Sequence, residues 1–280
     1  MIKKISDFLY VETGVRGCNH GFVVTDDSVV MIDTPFLYSN GVSWGKEIAR
    51  YGTVSYIINT EPHVDHFSGN AFFEGIIVAH EGTRQIMMEI PAKEYLQVLA
   101  NEEPDSLNLV GDYSFRLPDI TLAERMHLYT GNRVFQLTAF PGHTPYQVAV
   151  YLPEEKALFT SDNVVTSTIP FITPQANVFK WLESLRQMQK MDADYVIPGH
   201  GSIQDKSCLQ VMINELQVWL DTVWSVMEQG MSLEETQKKV NLLARYQDAP
   251  LPKEVVARTH DMNVITVYRT LRKRYRARQK

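Results

Sequence analysis

Residues 59–70, NTEPHVDHFSGN, constrain the fold most, because they place two histidines and two carboxylates within six positions. They directly follow Tyr56, Ile57 and Ile58, a run typical of a buried strand. Gathering several imidazoles and carboxylates at one point is costly unless a cation balances their charge. The segment therefore predicts a metal-gathering loop at the end of a strand. The alternative is a surface turn that is capped by Asp65 and carries incidental histidines.

Three later segments repeat this arrangement, each with one ligand-type residue just beyond a short β-branched run. They are His143 in PGHT, Asp162 in TSDN and His200 in PGHG, after the predicted strands 133–138, 157–160 and 195–197. Functional sites of layered α/β folds are built at the ends of strands, and the flanking glycines permit tight backbone turns. We therefore expect these side chains to meet at one site.

The rest of the chain up to residue 203 alternates strand and helix patterns, which indicates a layered α/β domain. Further strands are predicted at 8–11, 21–25, 28–32, 55–59, 76–79 and 147–152, and helices at 43–51, 81–99 and 178–190.

After residue 203 the strand pattern disappears. Apolar residues recur at helical spacing from Leu209 to Met227, Ser232 and Glu235 form a capping-box pattern, and a third helix is predicted at 264–276. We therefore predict a catalytic domain over residues 1–203 and a helical extension over residues 204–280 that packs on it.

The ordered motifs resemble those of the metallo-β-lactamase superfamily, whose signature loop usually reads H-x-H-x-D-H. Here the loop is 61-EPHVDH-66, followed by PGHT, TSDN and PGHG, and Asp33 ends the preceding run VVMID. The resemblance spans about residues 5–203. It implies an αββα four-layer sandwich that holds two divalent metal ions at one edge.

The resemblance also implies a role for each ligand-type residue. His63, His143 and the residue at position 61 would hold the first metal, and Asp65, His66 and His200 the second. Asp162 would bridge the two ions, and Asp33 would support the ligands from behind. An aspartate at the bridging position is typical of the glyoxalase-II-like, lactonase-like and phosphodiesterase-like branches.

Glu61 departs from the family pattern, which usually has a histidine at this position. Glu61 could be a direct ligand, in which case its carboxylate would shift the metal preference from Zn²⁺ toward Mn²⁺ or Fe²⁺. It could instead lie behind the ligands and leave the first metal weakly held. A third alternative is a mononuclear site at Asp65, His66 and His200. We expect direct ligation, because a glutamate side chain is long enough to reach a site prepared for histidine.

These residues predict a metal-dependent hydrolase that uses a metal-bound hydroxide, with Asp65 orienting the nucleophile or moving its proton. A carboxylic ester, lactone or thioester is the expected substrate. The alternatives are a phosphodiesterase, an iron-dependent oxygenase or redox enzyme of the same fold, and a non-enzymatic binding protein. A β-lactamase is less favoured, because no export signal is recognised at the N-terminus.

Two further residues are candidates for binding the substrate. The resemblance places His20 on a flap-like loop over the site, and Tyr146 follows PGHT closely. For each residue, simple packing is the alternative.

The composition favours small molecules as binding partners over nucleic acids and membranes. The net charge of −6 argues against generic affinity for nucleic acid or anionic membranes, and no apolar run reaches the length of a membrane span. Cys18 and Cys208 form no disulfide pattern, so a cytoplasmic location is expected. The tryptophan-bearing face of the extension either covers the α/β body or forms a homodimer.

Overall fold

The computed structural model describes residues 2–278, with side chains described through residue 275. The strands are β1 (Ile2–Lys4), β2 (Leu9–Glu12), β3 (His20–Val24), β4 (Val29–Ile32), β5 (Val54–Ile58), β6 (Ile76–His80), β7 (Ile120–Leu122), β8 (Arg125–Thr130), β9 (Arg133–Ala139), β10 (Val148–Leu152), β11 (Ala157–Val165) and β12 (Tyr195–His200). The helices are α1 (Tyr38–Ile48), α2 (Val64–Phe67), α3 (Glu81–Glu89), α4 (Ala92–Glu102), α5 (Val178–Met188), α6 (Ser207–Met227), α7 (Leu233–Lys239) and α8 (Lys253–Arg278).

Two sheets form the centre of the molecule. One has the strand order β1-β2-β3-β4-β5-β6-β7, and the other has the order β12-β11-β10-β9-β8. Strands β4, β5, β6 and β7 pair in parallel, as do β11 and β12, whereas the other pairs are antiparallel. The predicted strands therefore end at the edge of two stacked sheets, where loops from both can meet.

Successive side chains of a strand point to opposite faces of the sheet, so the core is divided into layers. Residues such as Val30 and Ile58 of the first sheet pack on Phe135 and Ile197 of the second. The other face of the first sheet packs on Trp44 of α1, and the other face of the second packs on α5, α6 and α8. The predicted αββα four-layer sandwich is confirmed.

The C-terminal helices share the outer core of the second sheet. Leu209, Leu216 and Val264 lie in one apolar cluster with Leu158 and Val196 of the sheet. Residues after 203 thus pack on the α/β body, and the division of the chain into two domains stays a prediction. Within residues 2–278, no helix is both long enough and apolar enough to cross a membrane.

Several predicted boundaries are wrong. The predicted helix 81–99 is two helices, because Pro91 lacks an amide hydrogen and Ile90 before it is extended. Helix α8 begins at Lys253, eleven residues before the predicted start at Val264. The pattern also missed β1, β7 and β8, the first two of which are three-residue strands.

The strand that carries Asp162 is longer than predicted. Asp162 and Asn163 lie inside β11 rather than after it, beside register shifts that flank Ser161. Ser161 has a φ of 50°, in the left-handed region, so the strand is bulged there. A bulge re-aims the side chains that follow it, and this one precedes Asp162 directly.

Candidate metal centre

All seven residues predicted as ligands lie together at one edge of the two sheets. The loop after β5 supplies Glu61 and His63, and α2 supplies Asp65 and His66. The β9–β10 loop supplies His143, and β11 and β12 supply Asp162 and His200. They fall into two groups, in each of which the ligand-type atoms lie within 4.8 Å of one another. The first group is Glu61, His63, His143 and Asp162, and the second is Asp65, His66 and His200.

Glu61 lies in the first group and is fully buried. Its Oε1 is 2.8 Å from His63 Nδ1 and 3.1 Å from His66 Nε2. Its Oε2 is 3.9 Å from His143 Nε2. The carboxylate therefore lies among the ligand-type atoms of the first group and also approaches His66 of the second group.

Asp162 lies between the two groups. Its Oδ1 is 3.4 Å from His66 Nε2, and its Oδ2 is 3.7 Å from His143 Nε2 and 3.4 Å from His200 Nε2. Asp65 completes the second group with its Oδ2 3.4 Å from His200 Nε2. One carboxylate thus reaches both groups, which is the arrangement expected of a bridging ligand.

The donor set fits divalent cations. Asp162 Oδ1 and His66 Nε2 are buried, and neither makes a hydrogen bond of acceptable geometry with a described residue, although Glu61 Oε1 lies 3.1 Å and Asp162 Oδ1 3.4 Å from His66 Nε2. Without a metal the imidazoles must balance the carboxylates by holding protons. Burial lowers the pKa of His63 and of His200, but the neighbouring carboxylates together, chiefly Glu61 for His63 and Asp162 for His200, raise each pKa to about 9. A divalent cation would supply the same positive charge and would be bound by Asp162 Oδ1 and His66 Nε2.

Asp33 orients His66 from behind, as the resemblance implies. Asp33 Oδ2 accepts a hydrogen bond of 2.9 Å from His66 Nδ1, which leaves Nε2 to face the centre. The Thr60 amide and hydroxyl donate to Asp33 Oδ1 and Oδ2 at 2.7 and 2.6 Å. Asp33 itself has a φ of 54°, a conformation that aspartate tolerates better than most residues.

The loop of His143 is fixed in a similar way. His143 Nδ1 donates to the Phe171 carbonyl at 2.6 Å, so its Nε2 carries the lone pair that faces the first group. Burial lowers the pKa of His143, although Glu61 opposes it, and this favours the neutral imidazole that a metal requires. Gly142 is needed here, because a Cβ at this position would lie 2.2 Å from Asn163 Oδ1.

The PGHG turn that carries His200 is held by Asn19. The Asn19 side-chain amide donates to the carbonyls of Pro198 and Gly201 at 2.8 Å each, and its backbone amide donates to the Gly199 carbonyl at 2.7 Å. Gly199 leaves room for the bridging carboxylate, since a Cβ there would lie 1.8 Å from Asp162 Oδ1.

Sequence reasoning missed several residues that support the centre. Gln147 is fully buried and donates to Glu61 Oε2 at 3.3 Å. Asn163 accepts from the His143 amide at 3.1 Å. Their neighbours PGHT and TSDN were readable motifs, but nothing local showed that Asn19, Gln147 or Asn163 would turn toward them.

His20 does not lie on a flap. It begins β3, where its side chain is fully buried and packs edge-on against Trp44 with a centroid distance of 4.7 Å. Burial lowers the pKa of His20 to about 4, so its ring is neutral. This position argues against the expected substrate contact and favours the packing alternative.

Tyr146 is half-buried beside the start of α3. Its ring lies 5.2 Å from the His80 ring, and a Cβ at Gly82 would lie 2.3 Å from it. Packing therefore accounts for this contact of Tyr146, and its predicted role in binding substrate stays a prediction.

Comparison with known families identifies the superfamily of the chain. Residues 13–200 match the family model described as metallo-beta-lactamase superfamily. The chain belongs to the metallo-β-lactamase superfamily. The typical activity of this superfamily is metal-dependent hydrolysis, which supports the predicted enzyme class. The predicted family is thus confirmed.

Solved structures support the same fold. A metallo-beta-lactamase from Pontibacter korlensis superposes with a TM-score of 0.61 at 23% identity, covering 78% of this chain and 98% of that one. The DIM-1 metallo-beta-lactamase gives a TM-score of 0.60 at 21% identity, with 78% and 97% covered. At these identities the likeness concerns the metallo-β-lactamase fold alone.

The curated relatives are matched over only part of their length. The chain is 24% identical over 181 residues to 2,4-dinitroanisole O-demethylase subunit alpha of Nocardioides sp. (strain JS1661), and 23% identical over 192 residues to thioesterase pkgB of Emericella nidulans. The matches cover 62% and 67% of this chain but 50% and 46% of those proteins. The chain therefore matches about half the length of these relatives.

Proposed function

We propose that this metallo-β-lactamase superfamily enzyme hydrolyses a carboxylic ester, lactone or thioester at a centre of two divalent ions. The observation that carries the proposal is the position of Asp162 between two groups of ligand-type residues, with its Oδ1 buried and not hydrogen-bonded to any described residue. Glu61, His63, His143 and Asp162 would hold one ion, and Asp65, His66, His200 and Asp162 the other.

Divalent ions bound here would lower the pKa of water from about 16 toward 7 and stabilise a developing oxyanion. The exposure of the side chains indicates from which side a substrate could reach the centre. Side chains of His63, His200 and Asp65 are 38%, 34% and 25% exposed, whereas those of Glu61 and His66 are fully buried. Substrate would therefore approach from the side of His63, Asp65 and His200, where Asp65 can accept a proton from the attacking water.

The choice of an acyl substrate rests on chemistry and on one relative. Hydrolysis of a thioester adds water across the C–S bond and gives a carboxylic acid and a thiol, with no redox partner. The relative from Emericella nidulans is named a thioesterase. An aspartate in the bridging position is typical of the glyoxalase-II-like and lactonase-like branches and equally of the phosphodiesterase-like branch, so Asp162 disfavours a β-lactam substrate but does not separate acyl from phosphodiester substrates.

The experiment is a screen of the protein loaded in turn with Zn²⁺, Mn²⁺ and Fe²⁺. Esters, lactones and thioesters are compared with a phosphodiester and a β-lactam. We expect the acyl substrates to be turned over, with the carboxylic acid as product. Turnover of the phosphodiester or the β-lactam alone would contradict the proposed substrate class.

A second candidate is an iron-dependent oxygenase or redox enzyme. Glu61 favours it, because a second carboxylate beside Asp162 makes the donor set harder and better suited to iron. The relative from Nocardioides is named an O-demethylase subunit, which is a different reaction from acyl hydrolysis. Oxygen consumption by the iron-loaded protein during turnover would favour this candidate over the hydrolase.

Glu61→His provides a prediction about metal choice. Replacing the anionic oxygen by a neutral imidazole removes one negative charge from the first group, so we expect the preference to move from Mn²⁺ or Fe²⁺ toward Zn²⁺. Competition between the three ions, followed by elemental analysis, measures the shift. Glu61→Gln is the control, because it removes the charge but adds no imidazole. Unchanged metal content and selectivity in Glu61→His would rule out Glu61 as a direct ligand.

A further inference from the structure

Asn263 of α8 is fully buried against the segment that follows β11. Its side-chain oxygen accepts a hydrogen bond of 2.8 Å from the Ile172 amide. Its side-chain nitrogen donates a hydrogen bond of 2.7 Å to the Pro170 carbonyl. One amide thus clamps the backbone on both sides of Phe171.

The clamped segment in turn contacts His143 at two points. The Phe171 carbonyl accepts from His143 Nδ1 at 2.6 Å. The Thr173 hydroxyl donates to the His143 carbonyl at 3.1 Å. The ring and the backbone of His143 therefore both depend on the position of residues 170–173.

The geometry explains how the clamp acts. The Phe171 carbonyl and the Ile172 amide belong to one trans peptide group, so they point in opposite directions. Binding the Ile172 amide to Asn263 therefore directs the Phe171 carbonyl to the other side, toward His143. A carbonyl at Nδ1 fixes the hydrogen on that nitrogen and leaves Nε2 free to face the first group.

Packing alone does not account for an asparagine at position 263, because burying a polar amide costs free energy. Val264 and Val267 of the same helix are fully buried in the apolar core, and a leucine could fill a similar volume. A buried amide stabilises the protein only when its polar atoms are hydrogen-bonded, and both of these atoms bond the segment beside His143.

We propose that Asn263 is a positioning residue for His143, so that the C-terminal extension supplies part of the support of the metal centre. The inference rests on the proposed centre, but it adds a residue that lies outside the stretch matching the family model, 13–200. The metal-binding loop and the extension are then coupled: α8 must be docked for the first group to hold its ion tightly.

The test measures binding of Co²⁺ by absorption titration of the full chain, without any substrate. In Asn263→Leu we expect the affinity for one of the two ions to fall about 10- to 100-fold, as for other residues that orient a metal ligand. The second ion should bind as before, since Asp65, His66 and His200 make no hydrogen bond or ion pair with residues 170–173 in the described part of the chain.

His260→Leu is the matched control. His260 is a buried polar residue of the same helix, and its Nε2 accepts from the Leu242 amide at 3.1 Å, away from the centre. We expect this variant to unfold at a lower temperature but to bind both ions with unchanged affinity. An equal loss of Co²⁺ affinity in His260→Leu would reduce Asn263 to a structural residue and overturn the inference.

Asn263→Asp keeps the test decisive if the leucine variant does not fold. The aspartate preserves the size and the acceptor for Ile172, but it loses the donor to Pro170, so an intermediate loss of affinity is expected. Wild-type affinity for both ions in a folded Asn263 variant would overturn the positioning role alone. Absence of metal binding by the unmodified protein would overturn the role together with the proposed centre.

Discussion

Asp162→Ala is expected to remove tight binding of both metal ions. Asp162 reaches His66, His143 and His200 with distances of 3.4 to 3.7 Å, so a single substitution affects both groups. Residues that merely orient a ligand contribute about 10- to 100-fold in metal affinity, and a bridging ligand should exceed that range. Equilibrium dialysis with elemental analysis measures the loss, and hydrolytic activity should disappear with it.

Glu155→Ala is the control for this prediction. The Glu155 side chain is also buried, with 3% exposed, and its carboxylate pairs with Arg133 at 2.7 Å, remote from the ligand groups. We expect this control to destabilise the fold but to leave the metal content unchanged. Two tightly bound ions in Asp162→Ala would mean that the carboxylate does not bridge them.

Asp65→Asn is expected to lower turnover by about 10²- to 10⁴-fold, the range typical of a lost general acid or base. The substituted amide keeps the shape and an oxygen for the metal, but it cannot take up a proton at neutral pH. Asp65 is partly exposed and contacts His200 Nε2 at 3.4 Å, so its loss should affect folding little. The measurements are kcat with a saturating ester or thioester, and the thermal unfolding temperature.

The turnover of Asp65→Asn is compared with that of the wild type at equal metal content, because Asp65 is also a predicted metal ligand. If Asp65→Asn keeps both ions and folds normally, turnover near the wild-type level would contradict the proton-transfer role. Asp65→Glu should recover part of the rate, because it restores a carboxylate at a slightly different position.

The ligand groups were predictable because each motif is local. A histidine or aspartate within a strand or just beyond its end is placed by that strand, and the strands themselves were readable from short β-branched runs. Glu61 was identified from a single departure in the loop motif. The structure places its carboxylate within 2.8 Å of His63 Nδ1 and 3.1 Å of His66 Nε2.

The supporting residues were not predictable, because their partners are distant in sequence. Asn19 binds the turn at 198–201, and Asn263 binds the segment at 170–172. A lone asparagine has no periodicity or spacing that reveals such a partner.

The predicted loop position of His20 is wrong for a different reason. Strand β3 starts at His20, one residue before the predicted start, so His20 and Phe22 lie on the same face of the sheet and pack against Trp44. A shift of one residue in the start of a strand was enough to change the expected environment of this side chain.

The most direct test of the account is a crystal structure of the metal-loaded protein with anomalous diffraction data collected at the absorption edge of the ion. The account predicts two peaks, both in contact with Asp162. One peak should also contact Glu61, His63 and His143, and the other Asp65, His66 and His200. A single peak, a peak elsewhere, or two peaks with Glu61 turned away from both would contradict it.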